Sequence, residues 1–233
     1  AVHHKKFADG GEVIVWETGR AGEEAASYEN LFLRKEIAGF RTNIRCEQSC
    51  SIKSLTRDYL YKQLLSSGEY TFDHMLVIKD PYGEAPLTAL ALFILEEPAC
   101  VRVTTKGNLK ETDFVTELPK KKEHRVPILG MYAEKANDIV IEILDDEGNC
   151  VKSHTFTIRT KRLPKSLRNV ITVKKWTDKP AYSNIMINGG VKIHTCVFDI
   201  EGKIRYYLSR KPRGYGIFPL SDGHFFYMEK YIS

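Results

Sequence analysis

No apolar run in the 233 residues approaches the roughly 20 needed to cross a bilayer as a helix. No charged segment followed by an apolar stretch opens the chain, so no signal peptide is read there, although the first residue is Ala and not Met. Cysteine is sparse. The five cysteines, Cys46, Cys50, Cys100, Cys150 and Cys196, are odd in number and widely spaced, which argues against a disulfide scaffold. Cys46 and Cys50 would share a face if helical, but two ligands do not make a zinc site, and no CxxC or HxxxH spacing supplies the rest. The expectation is therefore structural thiols, no metal, and a cytoplasmic compartment, with export left open.

The chain also lacks the pattern of a nucleic-acid binder. Its net charge is +5, unevenly spread. From Val151 to Asp178 eight cations (Lys152, Arg159, Lys161, Arg162, Lys165, Arg168, Lys174 and Lys175) face one acid, Asp178. Nucleic-acid recognition wants such cations interleaved with aromatics or aligned on one helix face. Only Trp176 is near, and Pro164 interrupts any helix. A solvated linker or domain-contact strip is expected, with neither nucleic acid nor membrane as partner.

Apolar residues at 42% and charged residues at 28% are ordinary for a globular chain of this length, which can bury a sizeable core. In the first part, Glu12 to Thr18 reads as a short strand after Gly10-Gly11, and Gly22 to Ile37 has few breakers. Leu55 to Leu65 carries apolar residues at helical spacing, with Ser54 as N-cap and Gly68 as stop. From Phe72 the period changes to two. Strands are expected at Met75 to Lys79, Leu87 to Leu95, Cys100 to Thr105, Asp113 to Glu117, Arg125 to Leu129, Asp138 to Leu144 and Cys150 to Arg159. Asp145 to Asn149 is a hairpin-turn signal between the last two. About seven short strands in about ninety residues read as an immunoglobulin-like β-sandwich. Its expected core is Leu90, Leu92, Ile94, Val101, Val103, Ile139, Ile141 and Ile143.

Beyond a linker at 161–179, strands at Thr195 to Ile200, Lys203 to Ser209, Gly216 to Leu220 and His224 to Tyr231 have the length of one β-propeller blade, with no second repeat. The fold class is thus mainly β: an N-terminal segment with a helix (1–71), a sandwich (72–160), a basic linker (161–179) and the start of a propeller (180–233).

Three stretches stand out. In Asp80-Pro81-Tyr82-Gly83-Glu84-Ala85-Pro86-Leu87-Thr88-Ala89-Leu90, Pro81 fixes φ and Gly83 permits a tight turn feeding a buried strand. The second is His124-Arg125-Val126-Pro127-Ile128-Leu129-Gly130-Met131-Tyr132, followed by Asn137. In the third, Phe198 to Leu208, Asp199 and Gly202 shape a hairpin in which the Asp accepts from turn amides. All three read as structural. Their order and spacing resemble the N-terminal region of bacterial aryl-sulfate sulfotransferases: an NPYGxxPLTAL signature, a second landmark, and the DxxGxxRWYL segment that opens the family's propeller. Asp80 stands where Asn is usual, Ala133 where Pro often follows Tyr, and Tyr206 where Trp is common.

The resemblance implies a six-bladed propeller whose central histidine takes a sulfuryl group from an aryl sulfate and passes it to a phenol through a sulfo-histidine. It implies no nucleotide sulfate donor and no cofactor, and it puts the catalytic residues beyond Ser233. His3, His4, His74, His124, His154, His194 and His224 are scattered, and none has a nearby carboxylate and cation pattern that suggests a site. His124, in a run of charge, reads as part of a solvated loop. No catalytic, cofactor-binding or metal-binding residue is therefore assigned. The competing reading is a non-catalytic immunoglobulin-like binding module. One blade with open edges also predicts a homo-oligomer formed through the 180–233 region.

Overall fold

The computed structural model describes residues 2–6, 12–16, 60–174, 184–187, 194–209, 217–219 and 225–227. They are mainly β. In chain order the strands are β1 (Val2–Lys6), β2 (Glu12–Trp16), β3 (His74–Lys79), β4 (Ala89–Thr105), β5 (Phe114–Ile128), β6 (Ala136–Leu144), β7 (Cys150–Arg159), β8 (Asn184–Ile187), β9 (Cys196–Asp199), β10 (Ile204–Tyr207), β11 (Ile217–Pro219) and β12 (Phe225–Tyr227). Residues 60–66 are helical. They overlap the helix expected from Leu55 to Leu65, whose first half lies outside the described residues, as does Gly22 to Ile37. The stop is at Gly68, with φ +74° and its amide on the Leu65 carbonyl at 3.3 Å. Among the described residues no helix is long and apolar enough to cross a membrane.

The large sheet runs β1-β2-β3-β4-β6-β7, with β5 also on β4. Its organiser is β4. The first half pairs antiparallel with β3 (Leu76 opposite Leu92), the second half with β6 (Val103 opposite Ile141), and β5 follows both halves. The sequence suggested separate strands at Leu87 to Leu95 and Cys100 to Thr105, and at Asp113 to Glu117 and Arg125 to Leu129. Each pair is one bent strand instead. The Glu96-Glu97-Pro98 and Lys120-Lys121-Lys122 runs look like loops because they are charged and proline-broken. They are extended backbone flanking a bulge, where the ladder shifts between Ile94 and Ala99 and again before Val101. The bend lets one sheet fold over itself and enclose a core.

Odd-numbered residues of β4's first half point inward. Ala89, Ala91, Phe93 and Leu95 join Met75, Val77, Val101, Val103, Val126, Ile128, Ile139, Ile141, Phe156 and Ile158. Even-numbered Leu90 and Leu92 are buried too, but on the opposite face, with Leu76 and Ile78 under Leu60, Tyr61 and Leu65 of the helical segment. The expected burial of this strand on both faces is therefore present. Of the expected core residues, Ile94 and Ile143 are only half-buried.

The hairpin at Asp145 to Asn149 forms as its sequence indicates, with Asp145 Oδ1 accepting the Asn149 amide at 2.7 Å and Gly148 at φ +84°. The β4–β5 connection depends on Gly107, where a Cβ would lie 2.2 Å from Thr112 Oγ1. Residues 161–174 are not a detached linker. Leu163, Leu167 and Ile171 pack on the sandwich core, and a 3-10 turn spans Lys165–Leu167; 175–179 lie outside the described residues.

The same core also takes Cys196, Phe198, Ile204 and Tyr207 from β9 and β10. Here β8, absent from the sequence-based series, joins β9 and β10 in a three-stranded sheet, while β11 and β12 pair with each other. Of the described cysteines, Cys100, Cys150 and Cys196 are free; Cys46 and Cys50 lie outside the described residues.

Candidate functional site

The third motif folds into the β9–β10 hairpin. Asp199 is fully buried, and its Oδ1 accepts the amides of Glu201 and Lys203, each at 3.0 Å, across the turn that Gly202 completes at φ +78°. Its other oxygen faces the sandwich. Asp199 Oδ2 accepts the Tyr132 hydroxyl at 2.8 Å and Arg205 Nη1 at 3.4 Å. Arg205 is itself wholly enclosed. Its Nε donates to the Gly130 carbonyl at 2.6 Å, and its Nη1 to the Thr112 carbonyl at 2.7 Å and the Tyr132 hydroxyl at 2.9 Å. The guanidinium also sits 4.0 Å from the centroid of the Tyr132 ring. Nη2 is left without a partner.

Tyr132 is fixed from the sandwich side. Asn137 Oδ1 accepts its amide at 2.7 Å, and Asn137 Nδ2 donates to its carbonyl at 3.0 Å. The Asn108 amide donates to its hydroxyl at 3.1 Å. Burial pushes the Tyr132 phenol above its ordinary value, and its bond to Asp199 adds to this. The phenol therefore stays protonated and donates. The second motif (Gly130, Tyr132, Asn137) thus closes on the third (Asp199, Arg205). With Asp199 and Arg205 both sealed from solvent, the cluster offers no room for a substrate. It is a lock.

The first motif joins the same junction. Asp80 adopts φ +47°, a left-handed conformation that Asn and Asp tolerate best, which explains why Asp can stand where the signature has Asn. Asp80 Oδ1 accepts the Ala85 amide at 2.9 Å, and Gly83 closes the turn at φ +72°. The Tyr61 hydroxyl donates to the Pro81 carbonyl. The Ser209 amide, just past the third motif, donates to the Glu84 carbonyl at 2.8 Å. Three motifs separated in sequence are contiguous in space.

The histidines depart from expectation in two places. His124 is not in a solvated loop. It lies in β5 with its ring buried, stacked on Phe93 at 5.4 Å and with Nε2 at 2.8 Å from the Lys121 carbonyl. The charges around it point outward because strand neighbours alternate faces. His154 does have a carboxylate and a cation beside it: Nε2 is 2.9 Å from Asp73 Oδ1, and Lys152 Nζ is 2.5 Å from the same oxygen. Asp73 lies far away in sequence, so no local spacing could show this. Burial pushes the Asp73 carboxyl up, but the hydrogen bonds and charges of Lys152 and His154 outweigh it and hold it below its ordinary value. The His154 ring is buried and stacked on Phe72 at 4.8 Å, an anchor for β7 on the turn before β3. His194 bonds the Leu208 carbonyl through Nδ1 at 2.7 Å, and His74 stacks on Tyr70. His224 lies outside the described residues. Among the described residues no three His, Cys, Asp or Glu side chains are grouped to hold a metal.

Burial pushes the His124 imidazole below its ordinary value, and the bonds to the Lys121 and Ala99 backbone offset this only in part. Below about pH 6.5 the unfolded chain takes up a proton that the folded chain resists. Stability is therefore expected to fall as pH drops from that value towards the lowered one. Urea midpoints measured across this interval should show the slope, and H124F should flatten it. An unchanged slope in H124F would place the titrating group elsewhere.

Residues 76–161 match the family described as the arylsulfotransferase Ig-like domain. This match supports an arylsulfotransferase-family N-terminal region. It runs from β3 to just beyond β7, so the arylsulfotransferase Ig-like domain contains the first two motifs in full and stops short of the third. Gly130 and Tyr132, which meet Arg205 and Asp199 of the β9–β10 hairpin, lie inside the matched span. No curated protein matches the chain.

Proposed function

We propose that this chain is the N-terminal portion of an aryl-sulfate sulfotransferase whose catalytic residues lie beyond it. In such an enzyme a histidine nitrogen attacks the sulfur of an aryl sulfate, the aryl oxygen leaves as a phenolate, and an acceptor phenol then attacks the sulfur and releases the imidazole. Splitting one displacement into two suits an imidazole nucleophile. The small-molecule partners are thus an aryl sulfate and a phenol, with no nucleotide donor. The residues described here orient rather than react. In this reading the sandwich (72–160) holds residues 161–174 and, through the Tyr132–Asp199–Arg205 lock, the β9–β10 hairpin, from which a propeller would begin. The compartment we propose is the cytoplasm, with export as the alternative.

The observation that carries this reading is the arylsulfotransferase Ig-like match over 76–161, joined to a hairpin whose sequence resembles the segment that opens the family's propeller. The test compares the pure 233-residue chain with the product of the complete reading frame that encodes it, using a chromogenic aryl sulfate and a phenol. No turnover is expected from the chain and turnover from the longer product. Turnover by the chain alone would refute the assignment of chemistry to later residues. A complete product without turnover would favour the binding-module reading.

A further inference from the structure

Where the sandwich meets β10, all three motifs border a cavity of about 240 Å³. It lies at the ends of β3 and β7, which are held side by side by Lys79 Nζ donating to the Arg159 carbonyl at 3.0 Å. Pro86 of the first motif, Met131 of the second and Tyr207 of the third give it apolar walls. Its charged lining is lopsided, with Lys79, Arg159, Lys161 and Arg162 against Asp80. The chain's alternation explains the cations. Phe156 and Ile158 of β7 enter the core, so Arg159 turns outward, and Lys161 follows it beyond buried Thr160.

Lys79 is engaged by the Arg159 carbonyl, Arg162 by Glu134 at 3.3 Å, and Asp80 by its own turn through the Ala85 amide. Arg159 and Lys161 are exposed, and among the described residues neither charged group has a partner. The wall supplies a second, independent observation. Tyr207 is only 7% exposed, yet among the described residues its hydroxyl has no hydrogen-bond partner. Buried tyrosine hydroxyls ordinarily find one. Burial pushes this phenol above its ordinary value, and the charge of Asp80, on the same cavity, adds to that, so the group keeps its proton and can donate. An idle donor and two idle cations select an acceptor that carries negative charge. The apolar walls select a hydrocarbon body beside it. The volume is below the roughly 300–1,000 Å³ of drug-sized sites, which leaves room for about one ring. We propose that this cavity binds a small aromatic oxyanion, a single ring bearing a sulfate, sulfonate or carboxylate, held by Arg159, Lys161 and the Tyr207 hydroxyl. No bond of the ligand is made or broken there, so the site does not depend on the sulfotransferase reading.

Calorimetric titration of the 233-residue chain with benzenesulfonate should show one site. Inorganic sulfate, which lacks the ring, and benzyl alcohol, which lacks the charge, should each bind at least about tenfold more weakly. R159A/K161A should weaken benzenesulfonate binding at least about tenfold. Y207F should weaken it about three- to tenfold, the size of one net hydrogen bond. K165A/K174A removes the same charge from exposed positions away from the cavity and should bind as the parent does. Each variant is first checked for a native circular dichroism spectrum. A parent that does not bind benzenesulfonate at millimolar concentration overturns the proposal. So does R159A/K161A binding like the parent, and so does an equal loss in K165A/K174A, which would reduce the effect to net charge. Sulfate or benzyl alcohol matching benzenesulfonate would overturn the joint recognition of ring and charge.

Discussion

Replacing Arg205 with Ala is expected to destabilise the chain by about 3–5 kcal/mol, the usual penalty for removing one partner of a buried ion pair. The substitution leaves the Asp199 carboxylate enclosed, with only the Tyr132 hydroxyl and turn amides for company. It also strips the Gly130 and Thr112 carbonyls of the donor they share and opens a void against the Tyr132 ring. The value describes removal, not the worth of the pair. Arg205 Nη2 has no partner, so an apolar substitution of both residues could lose far less. Arg205→Lys should not rescue, because one ammonium cannot reach the directions that the planar fork bridges. Urea unfolding reads all three variants. A loss below about 1 kcal/mol in R205A, within the range of exposed pairs, would mean that the guanidinium is not enclosed as described.

The second large effect is at Phe93. It is fully buried, edge-on to Phe72 at 5.4 Å and stacked on His124. Phe93→Ala should cost about 3–5 kcal/mol, because β4's inward face lies between both halves of the folded sheet and cannot collapse onto the gap. Ile94→Ala, one position along and half-buried, should cost clearly less. Equal losses in the two variants would contradict the register of β4.

That pair of residues shows what the sequence could and could not reveal. The apolar run from Leu87 to Leu95 indicates a strand buried on both faces, and it is one. A continuous run does not say which parity faces which neighbour, because the alternation that normally marks the core side is missing. The helical segment at 60–66 covers Leu90 and Leu92, and only the fold shows that. The turns at Asp145 to Asn149 and Asp199 to Lys203 were legible, since Asp145, Gly148, Asp199 and Gly202 act through bonds a few residues away. The bent strands were not: charge and proline at Glu96 to Pro98 look alike in a loop and in a bulge. Within the candidate site the motifs were visible one by one, but their contact was not. Nothing local pairs Tyr132 with Asp199, or His154 with Asp73, across such separations.

The central claim is that β9 and β10 are locked into the sandwich and not merely tethered after it. Native-state hydrogen exchange across a urea series tests this most directly. The β9 and β10 amides should open with the same free energy and the same urea dependence as those of β6, as one cooperative unit. A β9–β10 hairpin that exchanges through a smaller opening, while β6 keeps the full protection of the fold, would contradict the lock.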